Sequence, residues 1–406
     1  MNSAVQTRSS EWRTKMAILS SSLLAEPLTT LYALVVFILY KDLHATAFQV
    51  ALLTMLKPVV TVLSFYWSTG LKSRLRANVL GAGILMRLPF LLSPWFDSPW
   101  FLIAAAVNYM FFLRAGAPAW MEILKRSMPK EKRNRIFATS SVLGYVEGGL
   151  LSIGGGLLLD EYLSSWKWLF VIGALLGIAA AWVQSRVPIG EGKKEVEKLH
   201  WKEHLLRPWK DSWNLMRTKK EFAKFQWDFM LCGTAVMLIQ PALILFVVDE
   251  LGISYTEIAT AISLAKGLGY IISSPFWTRF LERTPIRRVA HSVFLVVALF
   301  PLFLALSKWN ISLFYLAYFC YGVGLGGNHL VWNLSGPHYA EKGECSIRYT
   351  GVGVVLAGLR GGFAPPLGGW LSLSFGSIPV LGIGAFLCLW SGLRKKSDKK
   401  TFALNQ

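Results

Sequence analysis

Charge in this chain is almost confined to gaps. Twelve apolar stretches recur along its 406 residues, and most Lys, Arg, Asp and Glu fall between them. A stretch of about 20 apolar residues crosses the hydrocarbon core of a bilayer as one helix. In lipid the backbone must satisfy its own N–H and C=O groups, so such stretches are helices rather than irregular chain. The alternation, with 54% hydrophobic residues, excludes a single soluble core and predicts an all-α membrane protein with twelve transmembrane helices. The spans read as residues 16–40, 46–69, 78–95, 100–123, 136–159, 165–185, 223–248, 256–278, 289–306, 310–333, 348–372 and 376–393.

The basic residues are sorted by side. Thirty-four of the 42 Lys and Arg lie in the tails and alternate loops, counting those at span edges, whereas the opposite loops hold only Lys41, Lys167 and Lys308. By the positive-inside rule both termini are cytoplasmic, in a plasma or bacterial inner membrane. The net charge of +19 therefore reflects topology and predicts lipid headgroups, not nucleic acid, as the surface partner. Span 1 is too long for a signal-peptide core, so no cleavage is expected. Cys232, Cys320, Cys345 and Cys388 have no metal-ligand spacing and suggest no disulfide framework. No nucleotide loop or nucleophile–base pair is present, so neither a cofactor nor enzymatic activity is expected.

Six spans precede a hydrophilic stretch and six follow it. The expected division is a six-helix bundle over 1–187, a cytoplasmic linker with an amphipathic helix over 188–221, and a second bundle over 222–406. The halves resemble each other. Glu147-Gly-Gly-Leu-Leu-Ser-Ile-Gly-Gly-Gly matches Arg360-Gly-Gly-Phe-Ala-Pro-Pro-Leu-Gly-Gly at an offset of 213. Ser64-Phe-Tyr-Trp67 matches Ser274-Pro-Phe-Trp277 at 210, and Trp120 matches Trp332 at 212. A near-constant offset between similar helices indicates a duplicated six-helix unit, giving two pseudo-symmetric bundles.

These features together resemble the major facilitator superfamily over essentially the whole chain. That family carries a basic signature after helix 2, loosely repeated after helix 8. Here the first copy is Gly70-Leu-Lys-Ser-Arg74-Leu-Arg76, without its acidic residue, and the second is Glu282-Arg283-Thr-Pro-Ile-Arg287-Arg288. Arg114-Ala-Gly-Ala-Pro resembles the family's helix 4, and Trp166-Lys-Trp-Leu-Phe a familiar opening of helix 6. Span 5 has the glycines of a motif common in exporters but lacks its proline. The resemblance implies alternating access between the two bundles, with helix 2 meeting helix 11 and helix 5 meeting helix 8.

Seven charged residues lie near mid-membrane: Glu26, Lys57, Arg87, Arg114, Glu147, Lys266 and Arg360. Each costs roughly 2.5–3.5 kcal/mol if it faces lipid, so most must face a cavity or a partner. One plain alternative is an interhelical ion pair such as Arg114 with Glu147. Five cations against two anions favour an anionic ligand. In the implied fold Lys57 and Arg360 would flank a carboxylate or phosphate, while Glu147 and Lys266 would form a bridge that gates or switches. Arg87, Lys266, Gln240 and Asn328 complete the candidate substrate groups. Glu26, directly before Pro27, is the leading proton-site candidate, with Glu147 and His329 as further carriers. Asp228 reads as a gate or capping residue near a cytoplasmic end. Gly144, Gly148, Ser152 and Gly156 form a small-residue stripe for close packing or for rocking of the bundles.

The expected function is secondary active transport of a small organic anion, coupled to protons or to a counter-anion. The alternatives are a proton-driven exporter of amphiphilic or cationic compounds, and a transporter-like sensor that binds without transport.

Overall fold

The computed structural model describes residues 2–70, 74–127, 130–162, 164–188, 201–339 and 346–394. The start of the expected linker (189–200), residues 71–73 of the first basic signature, Cys345 and the C-terminal tail lie outside the described residues. Each of the twelve apolar stretches is helical. The first six are α1 (Asn2–Lys41), α2 (Ala47–Gly70), α3 (Leu75–Arg87, extended by a 3-10 turn over Leu88–Trp95), α4 (Pro99–Ser127), α5 (Lys130–Glu161) and α6 (Ser165–Ser185). After α7 (Trp201–Thr218) come α8 (Lys220–Leu245), α9 (Tyr255–Thr260) with its continuation α10 (Lys266–Arg283), α11 (Ile286–Leu306), α12 (Ser312–Tyr339), α13 (Ser346–Phe375) and α14 (Ser377–Leu393). Two π-helical turns, Phe246–Glu250 and Ala261–Ala265, interrupt the seventh and eighth spans. Six helices among the described residues are long and apolar enough to cross a membrane by composition alone, among them Leu75–Trp95 with its 3-10 turn and Lys220–Glu250 with its π turn.

Large apolar side chains such as Leu150, Trp182, Leu373 and Leu393 are exposed around the bundle, as a lipid-facing surface requires. The helix α7 packs on α13 and α8, burying Leu215 and leaving Trp209 and Trp213 exposed, with Arg217 over the Trp213 ring. The helix is therefore amphipathic.

Within the first six spans α1 packs on α5 and α6, and α4 on α2 and α3; within the last six α13 and α14 pack on α8, and α12 on α10 and α11. The halves meet where α2 crosses α13 and α5 crosses α9. We call the end carrying the Lys- and Arg-rich loops the basic face. At the opposite face a large apolar cluster runs across both halves and includes Leu34, Phe37, Phe90, Ile244, Tyr255 and Phe314.

Polar bonds reinforce this closure. Tyr40 donates to Asp249 at 2.5 Å, and Tyr255 Oη to Asp42 at 2.9 Å. Asp160, at the end of α5, accepts from the backbone N–H of Tyr255 (2.7 Å) and Thr256 (2.9 Å) and from the Thr256 hydroxyl (2.7 Å). A helix N-terminus leaves such N–H groups unpaired, and a carboxylate there is favoured by charge as well. Ser254 and Glu257 add a capping box from within the helix itself. Lys41 lies 3.8 Å from Asp160 and over the Tyr255 ring.

Burial acts to raise the Asp160 pKa, but the bonds from Thr256 and Tyr255, with Lys41, outweigh it and hold the carboxyl below its ordinary range. A depressed carboxyl favours the closed face above the ordinary Asp pKa of about 4 and loses that contribution as pH falls through the depressed value. Asp160→Ala is expected to raise labelling of a cysteine placed at the buried Val247 several-fold, read with an impermeant maleimide. Acid below about pH 4 should do the same in the parent protein and add little in the variant.

Candidate functional site

A cavity of about 210 Å³ lies among α8, α11, α12 and α13. Three residues singled out in the sequence, Gln240, Asn328 and Arg360, line it together. Phe229, Cys232, Phe294 and Tyr321 line it as well and carried no signal in the sequence beyond apolar periodicity.

Arg360 sits on α13 and is only 8% exposed. Its guanidinium lies against Gly233 on α8, where a Cβ would occupy the same space. Only glycine leaves that room, because the blocked atoms belong to a charged group held in place by its own bond. Nη1 donates to the Phe229 carbonyl at 3.0 Å, and the guanidinium carbon stands 5.5 Å from the Phe229 ring centre. Nε is buried without a hydrogen bond, and no ion pair to Arg360 is found among the described residues. A buried guanidinium without an acid is costly unless something else supplies the negative charge.

The helix crossing that the family resemblance implied is present: the Pro58 ring on α2 fills the space beside Gly361 on α13. The two cations beside that crossing point differently. Arg360 turns toward α8, whereas the Lys57 ammonium lies 4.7 Å over the Tyr32 ring of α1. Tyr32 in turn stacks on Tyr109 and donates to the Ala106 carbonyl. Arg87 is buried within the first six spans, with Nη1 donating to the Gly83 carbonyl at 2.8 Å.

Glu26 lies against the bare backbone of α5. A Cβ on Gly148 would come within 2.8 Å of Glu26 Oε1, and one on Gly144 within 3.5 Å of Oε2. Glu147 is its electrostatic neighbour, and Oε2 of Glu147 is buried without a hydrogen bond. The small-residue stripe is thus divided by level. Gly144 and Gly148 seat a carboxylate, while Ser152 bonds Ser263 and Gly156 abuts Thr256 across the halves.

Two expected pairs are corrected. Neither Arg114 with Glu147 nor Glu147 with Lys266 forms an ion pair among the described residues. The α5 face that meets the eighth span is the one carrying Gly149, against Leu264, and Ser152; Glu147 lies two residues, about 200°, around the helix from Gly149. Arg114 instead lies near Tyr32 and, across the halves, near His329, whose Nδ1 is 3.4 Å from the Tyr270 hydroxyl.

Asp228 is buried near the basic face and ties three spans of the second half. It receives Arg287 (3.3 Å) and His291 (3.2 Å) from α11, Arg394 beyond α14 at 3.5 Å, and its carbonyl accepts from Ser391. Of the second basic signature, Arg287 is the member drawn inward; Glu282, Arg283 and Arg288 are exposed. In the first signature Arg76 donates to the Val187 carbonyl at 3.3 Å, and Arg74 is exposed beyond the end of α2 at Gly70.

The sequence matches the model of the Major Facilitator Superfamily over residues 18–240 and 229–402. No match is found among curated proteins. Solved transporters share the fold at low identity. A mutant of the nucleoside transporter NupG superposes with a TM-score of 0.71 at 16% identity, over 93% of this chain and 98% of that one. A POT family transporter in complex with a thioalcohol-conjugated peptide gives 0.70 at 14%, over 94% and 95%. A D-xylose–proton symporter gives 0.65 at 11%, over 94% and 95%.

Proposed function

Because the chain belongs to the major facilitator superfamily, we propose that it transports a small organic anion by alternating access, with Arg360 as the anion-binding group. Residues 1–187 and 222–406 are the moving bundles and 188–221 their linker. The basic face is cytoplasmic, so closure of the opposite face makes this an inward-open arrangement. The observation that carries the reading is the buried guanidinium of Arg360, lining a cavity with no acidic partner among the described residues. A carboxylate or phosphate group entering beside it would supply the missing charge through short, directional bonds. Gln240 and Asn328 would orient the rest of the solute.

Glu26 is the coupling group in this proposal. Its carboxyl rests on α5 at the level where the stripe passes from packing against α1 to packing against the eighth span. A change in its charge would therefore act on the surface along which the bundles move. The similarity to a proton symporter supports this coupling in kind.

Purified protein in proteoliposomes, given a panel of organic anions and an imposed proton gradient, tests both points. Uptake of one anion class, accelerated by the gradient, is expected. Glu26→Gln should abolish the acceleration while leaving solute counterflow intact. Stimulation by lipophilic cations with none by anions would overturn the anion reading and favour the exporter alternative.

A further inference from the structure

The cavity at Arg360 also carries information about the body of the solute. We infer that it takes an aromatic acid: one planar ring bearing a carboxylate, with a polar group on the far side of the ring. The inference rests on the anion reading above and adds the ring and its orientation to it.

Size comes first. A dry apolar cavity of roughly 150 Å³ admits benzene, and a water occupies about 30 Å³ of liquid. The 210 Å³ here therefore holds one ring with room for two small polar substituents.

The lining fits that division. Phe229 and Phe294 both border the cavity and meet each other edge to face, with centroids 5.8 Å apart. Their rings present the surfaces that a third aromatic ring packs against, at offset or perpendicular angles. The Arg360 guanidinium already lies over Phe229, so a carboxylate bound by that fork would have its ring beside these two. Valine, methionine and leucine side chains complete this part of the wall.

The polar groups mark an axis. Gly233, against which Arg360 packs, and Gln240 are seven residues apart on α8, about 10 Å along the helix. Arg360 thus stands toward the basic face and Gln240 toward the opposite face, with Phe229 and Phe294 nearer the Arg360 end and Tyr321, which packs on Phe300 of the opposite-face cluster, nearer the Gln240 end. A ring with its carboxylate at Arg360 directs its para position toward the Gln240 amide. A hydroxyl there has a donor and an acceptor within the same side chain.

Direct binding to the full-length protein in nanodiscs, by calorimetry or thermal shift, tests the inference with four probes: benzoate, 4-hydroxybenzoate, cyclohexanecarboxylate and benzamide. Benzoate is expected to bind on the order of tenfold more tightly than cyclohexanecarboxylate, the gain of one or two aromatic contacts. The 4-hydroxy acid should bind more tightly still, with that increment lost in Gln240→Leu. Benzamide, without the charge, should not bind. Phe294→Leu should bring the two ring acids together in affinity while keeping both. Equal affinity for benzoate and cyclohexanecarboxylate in the parent protein overturns the aromatic class and leaves the anion site standing. Tight binding of benzamide, or failure of every acid while another anion binds, likewise overturns the aromatic acid. Failure of every anion removes the anion site itself.

Discussion

Arg360→Gln is expected to remove anion binding while leaving the ligand-free protein as stable as before, or more so. The two effects have one cause. The guanidinium is buried against Gly233 and Phe229, with one backbone bond and an unsatisfied Nε. Without ligand, that charge is an uncompensated burial, and a neutral side chain of similar length relieves it. With ligand, the charge is the partner of the carboxylate. Losing one member of a buried, hydrogen-bonded charge pair costs roughly 2–5 kcal/mol, or about 30- to 5,000-fold in affinity. Arg360→Lys should fall between, because an ammonium keeps the charge but loses the planar fork. Melting curves of the purified variants with and without anion measure both effects at once. Unchanged anion affinity in Arg360→Gln would show that the cavity cation is structural.

Gly156→Val is expected to hold the opposite face open. A Cβ at Gly156 would stand 2.7 Å from Thr256 Cα and 3.0 Å from its backbone nitrogen. Both are main-chain atoms in the first turn of α9, a turn fixed by its capping box and by Asp160. Neither can swing aside as a side chain would, so α5 and α9 must separate. Overpacking of this kind costs typically about 1–3 kcal/mol, and at this position the cost falls on the closed arrangement alone. The ratio of closed to open molecules should therefore drop by about 5- to 150-fold. Gly155→Val is the control: it adds the same side chain one residue away, where a Cβ meets nothing within 4 Å. Spin-label distances across the opposite face, one label on each half, should lengthen in the first variant and not in the second. Transport should fall with closure, since alternating access requires both arrangements.

The membrane architecture is written in hydropathy. The expected spans match the helices closely because a bilayer imposes one length and one backbone solution on every crossing. The seventh and eighth spans show the limit of that rule. The π turn at Ala261–Ala265 lies inside apolar sequence that reads as plain helix, and the one at Phe246–Glu250 carries the seventh helix past its expected end at residue 248. Charged residues inside spans were equally legible as exceptions to a strong rule, and so Arg360, Glu26 and Asp228 stood out.

What those charges touch depends on rotation about each helix and on the crossing of distant segments. Glu147 was within reach of Lys266 by level along the membrane, yet Gly149 and Ser152 face the eighth span instead. Asp160 carried no signal in the sequence; α9 brings two free N–H groups to it from 95 and 96 residues away. Phe229 and Tyr321 were indistinguishable from lipid-facing aromatics until α8, α12 and α13 enclosed them. The sequence by itself determined how many times the chain crosses, which side is basic and which charges need a reason to be buried, because each follows from the free energy of one segment in lipid. The tertiary structure alone decided the partners, because a partner is set by interhelical packing, in which a single glycine such as Gly233 or Gly156 determines how closely two helices approach.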